Sequence, residues 1–167
     1  MPGVRPTSGL VRTAIFDILG NFDFSIADVL DLFAGTGSLG IEALSRGARC
    51  VDFVEDQPRQ CSVIKENLVH TGLSSRAKVH CMKVQQALGQ LKGKYNLVLM
   101  DPPYKLETLG DTLQSLSTCG ILAKHAIVVA GHSKRITLDK TYNGLEVVRR
   151  NRYGDSSIDF LELGCSQ

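Results

Sequence analysis

The decapeptide Asp31-Leu32-Phe33-Ala34-Gly35-Thr36-Gly37-Ser38-Leu39-Gly40 constrains the fold more than any other stretch of the chain. Residues 29–33 form an apolar run broken only by Asp31, and residues 39–45 have helical spacing, so the segment reads as strand, glycine turn and helix. Its glycines form a GxGxxG, in which the missing β-carbons let the backbone turn tightly and approach a ligand. Glu55 lies about 20 residues beyond the turn, at the end of the next expected strand, where a carboxylate accepts hydrogen bonds from ribose hydroxyls. The pattern predicts a nucleoside-containing ligand at the carboxyl ends of a parallel sheet.

The same rhythm continues along the chain. Strands are expected at Cys50–Glu55, 78–82, Tyr95–Met100 and 126–130, and helices at about 8–19, 58–70, 85–91 and 106–116. Leu97-Val98-Leu99-Met100 is nearly all apolar, which suits a strand buried on both faces between helices. Leu145–Tyr153 and 157–163 are separated only by Gly154-Asp155-Ser156, too close for a crossover helix, so they should pair as an antiparallel hairpin. The fold class is α/β, a doubly wound and mostly parallel sheet with a C-terminal antiparallel hairpin. With 167 residues, 43% hydrophobic and 22% charged, no repeat and no linker, the chain is expected to form one domain over 1–167.

Composition narrows the function by exclusion. No apolar run approaches the ~18 residues that span a bilayer, and the amino terminus lacks a secretory signal's apolar core, so a cytoplasmic protein with no membrane partner is expected. Cys50, Cys61, Cys81, Cys119 and Cys165 are scattered without a CxxC pair, and His70, His80, His125 and His132 lack metal-ligand spacing. No metal is expected. A net charge of +2 does not by itself argue for nucleic acid, so the placement of the basic residues must. Arg149, Arg150 and Arg152 cluster on the tail hairpin and Lys134-Arg135 follow the fifth strand, where they are candidate phosphate contacts; a merely solvated surface is equally compatible with each alone.

A dinucleotide and S-adenosylmethionine both carry an adenosine that suits the Gly35, Gly37 and Glu55 pattern. Asp31, inside the first strand, favours the methyl donor because an acid there can receive its ammonium group. Asp101-Pro102-Pro103-Tyr104 follows the fourth strand directly, which puts it at the same end of the sheet. An exocyclic amine of a base is a poor nucleophile because its lone pair is delocalised into the ring. The Asp101 carboxylate and the Pro102 carbonyl can each accept one amine N–H, Pro102 and Pro103 hold the loop rigid, and Tyr104 offers a face for the unstacked base.

These motifs together resemble the RsmD-type methyltransferases, which methylate the exocyclic N2 of a guanine in bacterial small-subunit (16S) ribosomal RNA. The resemblance covers nearly the whole chain: Arg5-Pro6-Thr7 with Val11-Arg12 and Phe16, the Asp31 to Gly37 turn with Gly40, Glu42-Ala43-Leu44-Ser45-Arg46-Gly47-Ala48, Phe53-Val54-Glu55, the Asp101 tetrapeptide and Arg150-Asn151-Arg152-Tyr153-Gly154-Asp155. It implies a Rossmann-like class I methyltransferase fold of seven strands with the last antiparallel. It also implies donor contacts from Thr7, Asp31, Phe33, Gly35, Thr36, Gly37, Glu55 and Asp56, and RNA contacts from Arg5 and Arg12 beside the basic residues named above. The partner is then ribosomal RNA or a small-subunit assembly particle, and the protein is expected to work as a monomer.

Four departures accompany the resemblance. The β-hairpin usual before the Arg-Pro-Thr segment is absent, and no acid follows the third strand in Lys83-Val84-Gln85-Gln86. Gly9-Leu10-Val11-Arg12-Thr13 lacks the family's additional arginine and glutamate, and the fifth strand ends in Ala130-Gly131 where an acid is usual. The other readings are an adenine-N6 or other nucleic-acid amino-methyltransferase, an NAD-dependent oxidoreductase using the same GxGxxG, and a non-catalytic RNA-binding module.

Overall fold

The computed structural model describes residues 9–103 and 109–164. Helix α1 (Gly9–Leu19) precedes β1 (Asp28–Leu32), α2 (Ser38–Ser45), β2 (Cys50–Glu55), α3 (Pro58–Thr71), β3 (Ala77–Cys81), α4 (Val84–Gln90), β4 (Tyr95–Met100) and α5 (Leu109–Thr118). The chain then adds only strands: β5 (Leu122–Ser133), β6 (Thr141–Tyr142), β7 (Leu145–Tyr153) and β8 (Ser156–Leu163). Proline at the first position of α3 and left-handed Gly72 (φ 72°) past its end are local stop and start signals.

All eight strands form one sheet in the order β3-β2-β1-β4-β5-β8-β7-β6. The first five are mutually parallel, and β8 runs antiparallel to both β5 and β7. The antiparallel tail hairpin is therefore present, with its last strand inserted between β5 and β7. An eighth strand joins the seven expected ones because Asn143 and Gly144, with φ of 51° and 92°, make a two-residue turn that folds Thr141-Tyr142 back onto Glu146 and Leu145. β5 begins four residues before the expected start, since exposed Lys124 and His125 interrupt the apolar pattern within it.

Alternation along each strand decides which helices cover which face. Leu30, Leu32, Val98, Met100, Val128 and Ala130 point into one core with Leu88 of α4 and Leu109, Leu113 and Leu116 of α5. Val29, Phe53, Leu97, Leu99 and Val129 point the other way, against Ile15, Phe16 and Leu19 of α1, Ala43 and Leu44 of α2, and Ile64 and Leu68 of α3. Between β1 and β4 the strand order reverses, because the chain winds outward through β2 and β3 before crossing back. Crevices at the carboxyl ends of strands open at such a reversal.

Candidate active site

The turn after β1 is held by partners from three directions. Phe33, Gly35 and Gly37 take left-handed φ values of 55°, 58° and 82°, and the Gly37 N–H donates to the Ala34 carbonyl at 2.8 Å. Glu55 is the clamp: Oε1 accepts the Gly35 N–H and Oε2 the Gln57 N–H, both at 2.9 Å. From α3, the Asn67 side-chain amide donates to the Thr36 carbonyl at 3.0 Å. A β-carbon on Gly35 would meet nothing within 4 Å, so bare backbone lines open space there.

Asp31 lies at the floor of this turn, buried, with Oδ2 accepting the Gly40 N–H at 3.0 Å from the first turn of α2. Burial pushes its carboxyl well above the ordinary carboxylate range; the Gly40 N–H opposes the shift, and the charges of Asp101 and Glu55 add to it. Asp101 is therefore close enough to act on Asp31. Met100 is in register with Leu32 of β1 and Ala130 of β5, so the Asp-Pro-Pro segment leaves the sheet beside the glycine turn. The Asp101 carboxylate rests against Gly131 of β5, with Pro102 buried and Pro103 exposed. Three carboxylates, Asp31, Glu55 and Asp101, thus gather at the carboxyl ends of β1, β2 and β4.

The remaining expected residues divide by position. Arg5, Thr7 and Tyr104 lie outside the described residues. Phe33 and Thr36 are half-buried in the turn, Asp56 is exposed directly after Glu55, and Arg12 is half-exposed on α1, the helix covering the Asp31 face. No acid follows β3 in residues 82–86; instead the Met82 N–H donates to the Glu55 carbonyl at 3.0 Å. Among the described residues, no group of three or more His, Cys, Asp or Glu side chains could hold a metal ion. No helix of those residues is long and apolar enough to cross a membrane.

The basic residues of the tail do not form one patch. Cross-strand partners share a face, so Arg149, paired with Phe160, faces the side of Asp101, while Arg150 and Arg152, paired with Asp159 and Ser157, face the other. Arg150 makes a two-pronged ion pair with fully buried Asp159, at 2.9 Å for both contacts, and His132 Nε2 stands 3.5 Å from the same carboxylate. Burial pushes Asp159 up, but His132 and Arg150 outweigh it and hold the carboxyl below the usual range. Lys134 pairs with exposed Asp155 at 3.1 Å, and Arg135 is exposed. Sequence reasoning missed the Asp159 pair and the seat of Asp101 on Gly131; an acid amid apolar Ile158, Phe160 and Leu161 was the available signal for the first.

Comparison with known proteins gives the site its relatives. A family model described as conserved hypothetical protein 95 matches residues 1–162. The Bacillus subtilis protein YlbH is 33% identical over 157 residues, 92% of this chain and 85% of that protein. Ribosomal RNA small subunit methyltransferase D of Escherichia coli K12 is 35% identical over 127 residues, 76% of this chain but 63% of that enzyme. A solved structure of a conserved hypothetical protein from Streptococcus pyogenes superposes with a TM-score of 0.85 at 34% identity, covering 91% of this chain and 94% of that one. With the motifs, the fold and these relatives in agreement, the chain belongs to the RsmD-type family of ribosomal RNA methyltransferases.

Proposed function

We propose that the chain transfers a methyl group from S-adenosylmethionine to the exocyclic N2 amine of a guanine in small-subunit (16S) ribosomal RNA, free or within an assembly particle. The observation that carries this reading is the gathering of Asp31, Glu55 and Asp101 around an open backbone turn. Such a crevice repels a pyrophosphate and attracts a cation. S-adenosylmethionine is cationic at its ammonium and its sulfonium, and it supplies a methyl carbon made electrophilic by the sulfonium. NAD fits this charge poorly.

Asp31 would take the ammonium, which relieves the mutual repulsion of the three acids. Glu55 already accepts two backbone N–H groups, yet each carboxylate oxygen keeps acceptor capacity for a ribose hydroxyl. The uncovered backbone at Gly35 would lie against the donor, with Phe33, Thr36, Gly37 and Asp56 beside it and Thr7 as a further donor contact. On the substrate side, Asp101 and the Pro102 carbonyl each accept one amine N–H, which localises the lone pair; Asp101 then receives the proton released from the methylated nitrogen. Pro103 keeps the loop from reorganising, and Tyr104 stacks on the base. Arg5, Arg12, Lys134, Arg135, Arg149 and Arg152 would contact phosphates, whereas Arg150 acts by fixing the hairpin through Asp159. The unit of action would be one domain, monomeric and cytoplasmic.

The test uses labelled donor and unmodified small-subunit RNA or its assembly intermediates. Wild-type chain should label one guanine at N2, and Asp101→Ala should lower the rate at least ~100-fold with donor affinity nearly unchanged, because the lost contact is made at the reacting amine. Absence of label on every such RNA, with tight NAD binding instead, would overturn the reading.

A further inference from the structure

Gly131 ends the apolar part of β5, directly after Ala130. It follows Ala130, the register partner of Met100, and pairs across the sheet with Ile158 of β8. A β-carbon built on Gly131 would stand 2.9 Å from Asp101 Oδ1, 3.6 Å from Asp101 Cγ and 3.5 Å from Ile158 Cδ1. Only the first is too short for real atoms, since carbon contacts settle at about 3.5–4.0 Å. The backbone of Gly131 is not in the left-handed region, so nothing but space calls for glycine there.

Asp101 therefore has its carboxylate in the volume that any other residue at 131 would fill. On its other side is Asp31 of β1, the residue before the end of that strand and in register with Leu99 of β4. The vacant volume at Gly131 favours one orientation of the carboxylate, leaning toward β5. We propose that Gly131 is a positioning residue, a notch that sets the direction from which Asp101 presents its acceptor oxygen to the substrate amine. This rests on the reading of Asp101 as the amine acceptor.

The conflict that a methyl group would create at 131 lies with the tip of one side chain, not with backbone. It is relieved by turning the Asp101 carboxylate, at little cost to the fold. The penalty should fall on chemistry instead, where a displacement of about 1 Å in a reacting group costs on the order of 100-fold. Asp31, Gly35 and Glu55 stay where they are, so donor binding should not change.

A double-mutant cycle with Gly131→Ala and Asp101→Ala tests the proposal, reading the single-turnover rate of methyl transfer, the donor Kd and the Tm of each variant. Gly131→Ala should transfer methyl ~10–100-fold more slowly, with donor Kd within about 2-fold of wild type and Tm within about 3 °C. In the Asp101→Ala background, where the displaced carboxylate no longer exists, the same change should have no further effect on rate. Gly131→Ala at the wild-type rate while Asp101→Ala is slow overturns the notch. So do two losses that multiply, which mean Gly131 acts by another route, and so does a Gly131→Ala chain that fails to fold, which means the carboxylate is not the only obstacle. Full activity of Asp101→Ala removes instead the reading on which the notch depends.

Discussion

Replacing Gly40 with alanine should destabilise the protein even though alanine is the better helix former. The new β-carbon would lie 2.3 Å from Cε1 and 2.7 Å from Cζ of Phe53, and 3.0 Å from Asp31 Oδ2. Carbon pairs need about 3.5 Å or more, so the intrusion exceeds 1 Å. Phe53 is 0% exposed and its ring also lies along Gly37, so it has no free space to swing into. Helix α2 must lift from β1 and β2, stretching the Gly40 N–H to Asp31 hydrogen bond. Overpacking of this kind costs ~1–3 kcal/mol, and an overlap this deep belongs at the upper end; helix propensity returns about 1 kcal/mol. The net loss is then about 2 kcal/mol, or a Tm lower by roughly 4–8 °C for a chain of this size. Thermal and urea melts of the purified variant measure it, and Phe53→Leu serves as the partner change, because the double variant should lose less than the sum of the two single losses. A Gly40→Ala protein at least as stable as wild type would refute the argument that this glycine is present for close helix–strand contact.

Asp31→Asn keeps an acceptor for the Gly40 N–H but removes the buried charge, so donor Kd should rise ~10–100-fold, the worth of about 1.5–3 kcal/mol for a hydrogen bond to a charged group, while Tm should not fall; calorimetric titration and melts decide. Because the folded Asp31 carboxyl is raised, its contribution to stability is complete below its unfolded value and is lost as pH rises through the folded one; a cationic donor favours the ionised form, so binding should release a proton and tighten with pH. Titrations in buffers of different ionisation enthalpy that detect no proton release would count against the ammonium contact. Arg150→Ala should cost about 1–3 kcal/mol, less than the ~3–5 of a wholly buried pair because the Arg150 side chain is 36% exposed. Asp159 is lowered in the folded chain, so the stability its pairing confers is present above its unfolded value and lost as pH falls through the folded one; the Arg150→Ala deficit in Tm should therefore shrink in acid, and an equal deficit at pH 7 and in acid would speak against the pair as its source.

Most of the fold was legible because it is written in local patterns. β2 and β4 lie where their apolar runs are, and α3 begins at Pro58 and ends beside Gly72 as the punctuation of helices requires. The differences have two causes, tertiary context outvoting the local pattern and a local turn signal in Asn143-Gly144. Lys124 and His125 are polar and exposed and fall in an irregularity of β5, between Leu122 opposite Tyr95 and Ile127 opposite Leu97 of β4, that carries the strand past them. Tyr142 becomes a strand residue because the Asn143-Gly144 turn returns the chain onto Leu145, a hairpin signal that was present and went unread. The three hairpin arginines look like one patch only in one dimension; strand alternation, and a register shift between Val147 and Arg149, turn Arg149 away from Arg150 and Arg152.

The candidate site divides along the same line. Glycines, a strand-end acid and the Asp-Pro-Pro step are local signals, and they locate the crevice. What separates a methyl donor from a dinucleotide is the sign of the field inside it, and that depends on carboxylates far apart in the chain being folded against one another. Glu55 is the instructive case. Its spacing from the turn marks it as a ribose acceptor, but both of its oxygens also hold backbone N–H groups, one in the glycine turn and one at the start of α3. One acid therefore closes the loop and, with Asp31 and Asp101, makes its surroundings acidic, and those surroundings help hold the Asp31 carboxyl above the ordinary range. A pyrophosphate would be disfavoured there, so on the proposed reading the same GxGxxG that accepts dinucleotides elsewhere would be turned toward a sulfonium ligand by its acidic surroundings rather than by its glycines.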